Sequence, residues 1–243
     1  MKNFIFILSI LAAVAVNAQT PELSIRDFGM ANVNQELFSA SINGQVYYFA
    51  SVPDKPQYVV VAPKKKAYKD FKEVVLPETF ESDGMTYNII GIADRAFEKC
   101  KKITKIDLPK NIIVIGEAAF QNTDVDDLTL HEGLKKIGGK AFLGNDLKDI
   151  IIPDGVEEIG AEAFYCLKGT IFQRVYSGKL YIPKSCYSIG DHAFATCRNG
   201  YGAWFNSKRT ILCIPNQVNL ENCKNMGISQ DTVKEYLDKN NKY

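Results

Sequence analysis

Residues 103–164 read ITKIDLPKNIIVIGEAAF (103–120), VDDLTLHEGLKKIGGKAF (125–142) and LKDIIIPDGVEEIGAEAF (147–164), three versions of one phrase. Each copy sets apolar residues at matching points and closes on Ala-Phe, and Phe120, Phe142 and Phe164 succeed one another at 22 residues. A unit this short cannot bury an apolar face by itself. Each copy must therefore pack on its neighbours, and the period predicts a stacked solenoid.

The spacing within a copy gives the path of one coil. Ile106 and Leu108 flank Asp107, Leu128 and Leu130 flank Thr129, and Ile150 and Ile152 flank Ile151. Period-two alternation predicts a short strand with those apolar side chains turned inward. Pro109 and Pro153 end it, because proline has no amide to extend the ladder. A second apolar group follows in each coil: Ile112 with Ile115, Leu134 with Ile137, Val156 with Ile159. Gly116, Gly138 and Gly160 then permit a bend into the Ala-Phe segment.

Outward from this triplet, the array opens with FKEVVLP (71–77), and its second half, NIIGIADRAF (88–97), is displaced by an insertion at 78–87 whose Asp83-Gly84 predicts a hairpin. Residues 19–70 lack the repeat. There Phe38, Ala40 and Ile42 alternate with polar residues, Asn43-Gly44 follows, and Val46 to Phe49 resumes, the pattern of a hairpin closed by a type I′ turn. With a third strand at 58–61 this region reads as a β cap over the first coil. Past Pro215 the repeat lapses again. Ser229 is placed to cap a helix over 230–239 with Ile228, Val233, Tyr236 and Leu237 on one face, a helical cap for residues 216–243.

The phrase L-x-x-I-x-I-P-x-x-V-x-x-I-G-x-x-A-F resembles the BspA-like, or Treponema pallidum type, bacterial leucine-rich repeat over residues 71–215, with six openings and five Ala-Phe closures. The chain departs from that pattern at His131, where proline is usual, and at Ala93, where glycine is usual. The resemblance implies an α+β repeat solenoid, a curved right-handed stack of short β-strands. It also implies export or display at the cell surface, and binding or adhesion rather than catalysis.

The last coils break the period. Phe120 to His131 and Phe142 to Pro153 span 11 residues, but Phe164 to Pro183 spans 19 and Phe194 to Pro215 spans 21. The extra segments, near 167–178 and 198–208, leave the coil at equivalent points and should emerge side by side. The first carries Phe172, Arg174 and Tyr176. The second carries Tyr201, Trp204, Phe205, Lys208 and Arg209, with Gly200 and Gly202 marking a loop. Aromatic and arginine side chains in surface loops are those that most often dominate binding energy, so these eight are the candidate ligand-binding residues. The competing reading is that the rings fold back and enlarge the core.

The remaining features narrow the function class. A formal net charge of +1 supplies no long-range field for nucleic acid or anionic membrane. Lys2, the apolar run 4–16 and the small-residue end at Ala18 read as a signal peptide, residues 1–18, so the mature chain is expected to be exported: secreted, periplasmic or at the surface, with no stable membrane insertion. Cys100, Cys166, Cys186 and Cys197 occupy packing positions, whereas Cys213 and Cys223 are the best candidates for a disulfide. Only His131 and His192 exist, without triad or metal-ligand spacing, so no catalytic residue, metal or cofactor is expected. Glu157 and Glu158 align one coil on from Lys135 and Lys136, which predicts cross-coil ion pairs. Together these readings point to a non-catalytic binding protein for an extracellular or envelope protein or glycan. The alternative is an assembly module docking onto another envelope protein.

Overall fold

A computed structural model describes residues 37–145, 147, 149–169, 178–198, 204–205 and 210–240. The proposed signal peptide lies outside them. The chain opens with β1 (Phe38–Ile42), β2 (Gln45–Val52) and β3 (Lys55–Val61). Asn43 and Gly44 join β1 to β2 at φ 51° and 76°, the two left-handed residues a type I′ turn requires. The displaced coil supplies β4 (Glu73–Val75), β5 (Thr79–Ser82) and β6 (Met85–Ile92), and Asp83-Gly84 turns β5 into β6 as its sequence predicts.

Each regular coil then contributes two strands: β7 (Lys105–Asp107) and β8 (Val114–Ile115), β9 (Asp127–Thr129) and β10 (Lys136–Ile137), β11 (Ile150–Ile151) and β12 (Glu158–Ile159). The later coils add β13 (Cys166–Gly169), β14 (Lys179–Tyr181), β15 (Ser188–Ile189), β16 (Thr196–Arg198), β17 (Trp204–Phe205) and β18 (Thr210–Cys213). One helix, α1 (Gln230–Asn240), follows Ser229 and buries Val233, as fits a helical cap.

The strands expected from alternation form two short parallel sheets, β4-β7-β9 and β11-β14-β18. The second apolar group of each coil, which sequence left without a secondary structure, is itself a strand. It belongs to the longer, nine-stranded sheet, ordered β1-β2-β3-β6-β8-β10-β12-β15 with β5 added beside β6. From β3 to β15 every step along that order is parallel, as successive turns of one path must be. The repeat geometry thus reaches back to β3, upstream of the Phe71 opening.

A third wall is built from the Ala-Phe segments. Arg95, Ala118, Lys140, Glu162 and His192 all sit at φ between 54° and 59°, the left-handed region in which a Cβ costs about 1 kcal/mol. The conformation recurs because it aims the next amides at the adjacent coil. Phe97, Phe120, Phe142 and Phe164 donate to the carbonyls of Ala119, Ala141, Ala163 and Ala193 at 2.7–2.8 Å. The rings inside this ladder form a column. Phe97, Phe120, Phe142, Phe164 and Phe194 stack at centroid separations of 5.1, 5.5, 5.2 and 5.7 Å with planes within 12°. Tyr68, 4.7 Å from Phe97, heads it, and its hydroxyl donates to the Ala62 carbonyl at 2.8 Å.

The repeat glycines serve a different purpose from the bend assigned to them by sequence. Gly138 has no left-handed φ, but a Cβ there would lie 2.5 Å from the Gly116 carbonyl carbon in the preceding coil. Glycine is needed where backbones of successive coils approach one another. At the N-terminal end the insertion hairpin closes over β1 and β2, with Phe80 stacked on Phe49 at 4.6 Å and on Tyr87 at 5.2 Å.

Candidate functional site

The edge on which the two insertions begin is set by a change two residues past each column phenylalanine. In the early coils that position turns the chain: Lys99, Asn122 and Gly144 have φ of 63°, 54° and 83°. In the last two coils Cys166 and Thr196 stand there and open β13 and β16 instead. β13 pairs in parallel with β16, Cys166 opposite Thr196 and Gly169 opposite Arg198. β17 then returns antiparallel to β16, with Phe205 opposite Thr196 and Trp204 opposite Cys197. The stems of both insertions therefore form one three-stranded sheet, side by side as the equivalent exit points predict.

Of the eight candidate residues, Trp204 and Phe205 fall on β17. Phe172, Arg174, Tyr176, Tyr201, Lys208 and Arg209 lie outside the described residues. Both insertions end on neighbouring strands of one sheet, β14 and β18. The return of the first is fastened by the Lys179 amide, which donates to Asp149 Oδ1 at 2.8 Å, and by the Tyr181 hydroxyl, which donates to Asp154 Oδ1 at 2.9 Å.

Immediately before the stems in the chain, Tyr165 and Ala195 join Leu143 in a small buried cluster separate from the main core. Each directly follows a column phenylalanine. The earlier coils place Glu98 and Gln121 there, so the outer side of this wall passes from polar to apolar as the insertions are reached. That change of residue type is a sequence signal for the site, and it lies outside the repeated phrase, which ends at the phenylalanine.

Among the described residues, titratable side chains link neighbouring coils. Lys135 pairs with Glu157 at 3.2 Å and Lys136 with Glu158 at 2.8 Å, as their coil positions predict. The hydrogen bond from Lys136, with a second from the Tyr187 hydroxyl, holds Glu158 below the usual carboxylate range. His131, at the proline position, sits 3.4 Å from Asp107 of the preceding coil. Burial pushes the Cys100 and Cys186 thiols up to about 11, away from the thiolate that nucleophilic chemistry needs. Cys213 and Cys223, the candidate disulfide, are instead both free thiols, Cys223 buried as a small hydrophobe beside the last coil. Among the described residues no His, Cys, Asp and Glu group is placed to hold a metal ion, and no helix is long and apolar enough to cross a membrane.

Asn145 is the structural residue that sequence reasoning missed. It is buried, accepts from Thr123 Oγ1 at 2.7 Å and Val125 N–H at 2.9 Å, and donates to the carbonyls of Phe120 at 2.8 Å and Phe142 at 3.0 Å. One amide thereby ties two coils together just before the insertions begin.

No curated protein matches the sequence. Among solved structures, the leucine-rich repeat protein of T. pallidum is 24% identical with a TM-score of 0.49, over 63% of this chain and 64% of that one. A leucine-rich repeat protein from Eubacterium ventriosum is 23% identical with a TM-score of 0.44, over 65% and 41%. The pneumococcal vaccine antigen PcpA is 17% identical with a TM-score of 0.44, over 75% and 57%. The chain thus spans less than two thirds of the length of each of these three proteins. The BspA-type leucine-rich repeat model matches in six copies over residues 69–200 and 167–224, the same stretch in which the coils, ladder and phenylalanine column are found. On that match the chain belongs to the BspA-type leucine-rich repeat family.

Proposed function

We propose that this chain is an exported, non-catalytic binding protein that engages a protein or glycan through the insertions of its last two coils. The observation that carries the reading is the joined sheet β13-β16-β17, which brings the bases of two aromatic- and arginine-bearing insertions together on a rigid stack. Binding residues placed on a scaffold whose stability comes from elsewhere can vary without loss of the fold. Membership of a repeat family supports a scaffold role, and the description of one similar protein, from Faecalibacterium prausnitzii, as a leucine-rich cell surface protein accords with display outside the cell. In the same reading residues 1–18 direct export, the coils curve in a right-handed stack, and the N-terminal strands cap the first coil.

The test is a glycan and protein array probed with the mature chain. Specific hits that disappear when residues 172–176 and 201–205 are deleted support the reading. Hits that survive the deletion place recognition elsewhere, and turnover abolished by a single point substitution overturns the non-catalytic role.

A further inference from the structure

Strand β1 ends the nine-stranded sheet, and among the described residues no strand lies along its outer side. Its sequence, Phe38-Ser39-Ala40-Ser41-Ile42, has neither charge nor proline, the devices that ordinarily keep an open edge from recruiting another strand. The direction of its free backbone groups follows from its neighbour. Tyr48, opposite Ser39, donates its N–H to the Tyr68 hydroxyl at 3.0 Å, and its C=O accepts from Ala62 N–H at 2.8 Å, both away from β1. Ser39 and Tyr48 are therefore a wide pair that exchanges no hydrogen bonds. Ser41 and Val46, two residues on, are another, so the N–H and C=O of both serines point out of the sheet.

The strand also reads the same way in both directions: apolar, serine, alanine, serine, apolar. Its faces obey the same symmetry, with Phe38, Ala40 and Ile42 toward the core and Ser39 and Ser41 exposed. We propose that two copies of this chain pair β1 to β1, antiparallel about Ala40, and so join their nine-stranded sheets across a twofold axis. Ser39 of each copy then faces Ser41 of the other in hydrogen-bonded pairs, because those are the residues whose groups point outward. Phe38 lies against Ile42, and the two Ala40 residues face each other on the axis without hydrogen bonds. The surface is self-complementary, as an isologous contact requires. It is distinct from the insertions at the other end of the stack, so its failure would leave the binding reading untouched.

Sedimentation velocity of the mature chain from about 1 µM to about 1 mM should show a monomer–dimer equilibrium. Ser39→Lys/Ser41→Lys sets like charges opposite one another, as does Ser39→Glu/Ser41→Glu; each double variant should raise the dimer Kd at least about tenfold, and an equimolar mixture of the two should restore association. Both replaced side chains are exposed, so unchanged thermal unfolding verifies the fold. Ala40→Cys should give a disulfide-linked dimer under mild oxidation, since facing Cβ atoms are closer in a pair without hydrogen bonds, at about 4.5 Å, the upper end of the span a disulfide bridges. A chain that stays monomeric throughout, a lysine variant that dimerises like the original, or a mixture that fails to associate would overturn the proposal. So would a monomeric chain whose β1 edge takes up only an extended peptide of another protein.

Discussion

The coils of residues 103–164 and the two coils that follow share a column, a ladder and a parallel sheet, yet they differ at one backbone position. Where Asn122 and Gly144 turn the chain through a left-handed residue, Cys166 and Thr196 begin strands that carry it outward. The ladder continues unbroken, with Phe164 N–H on the Ala193 carbonyl at 2.8 Å and Phe194 N–H on the Met226 carbonyl at 2.9 Å. A local change of turn is thus enough to hang a long insertion on an unaltered frame. The proposed function assigns stability and recognition to different residues, and that division is open to experiment.

The frame should break first at its column. Phe120 is fully buried between Phe97 and Phe142, so Phe120→Ala should cost about 3–5 kcal/mol in denaturant unfolding, through lost transfer energy and an internal cavity. Asn145→Ala should cost about 1–3 kcal/mol, because it strands the buried Val125 N–H without a partner and leaves the Phe120 carbonyl with the Thr123 hydroxyl alone. A cost below about 1 kcal/mol in either variant would mean that the coils do not share one cooperative core.

Smaller effects sharpen the comparison. Reversing Lys136→Glu should lose about 0.5 kcal/mol, and adding Glu158→Lys should recover most of it, since the pair is half-exposed. Glu158 is held below its ordinary carboxylate range, so its contribution is complete above the unfolded pKa and disappears as pH falls through the folded one. Glu158→Gln should flatten that acid-side loss by a few tenths of a kcal/mol at about 0.15 M salt, as followed by unfolding midpoints between pH 3 and 7.

Much of the frame was legible in the sequence because its causes are local or periodic. The stacked coils follow from Phe120, Phe142 and Phe164 at one spacing, the hairpins from Asn43-Gly44 and Asp83-Gly84, and α1 from Ser229 before an amphipathic run. What escaped notice lacks such a signature. Strands β8, β10 and β12 are two residues long, too short to display alternation. The requirement for Gly138 comes from Gly116 one coil away, a contact that no local preference encodes. Tyr68 joins the column in a coil that otherwise departs from the repeat, and Asn145 earns its place through partners 20–25 residues distant. For the site, exit points were readable from spacing, whereas the sheet joining β13, β16 and β17 depends on pairing between segments that share no pattern.

The division of labour between frame and insertions is tested most directly with Trp204→Ala and Arg174→Ala, each measured for thermal unfolding and for binding to a ligand found on the array. The account predicts that the unfolding midpoint moves by less than about 2 °C while affinity falls at least about tenfold. A midpoint lowered by more than about 5 °C with affinity retained would show that these side chains belong to the core and that recognition lies elsewhere.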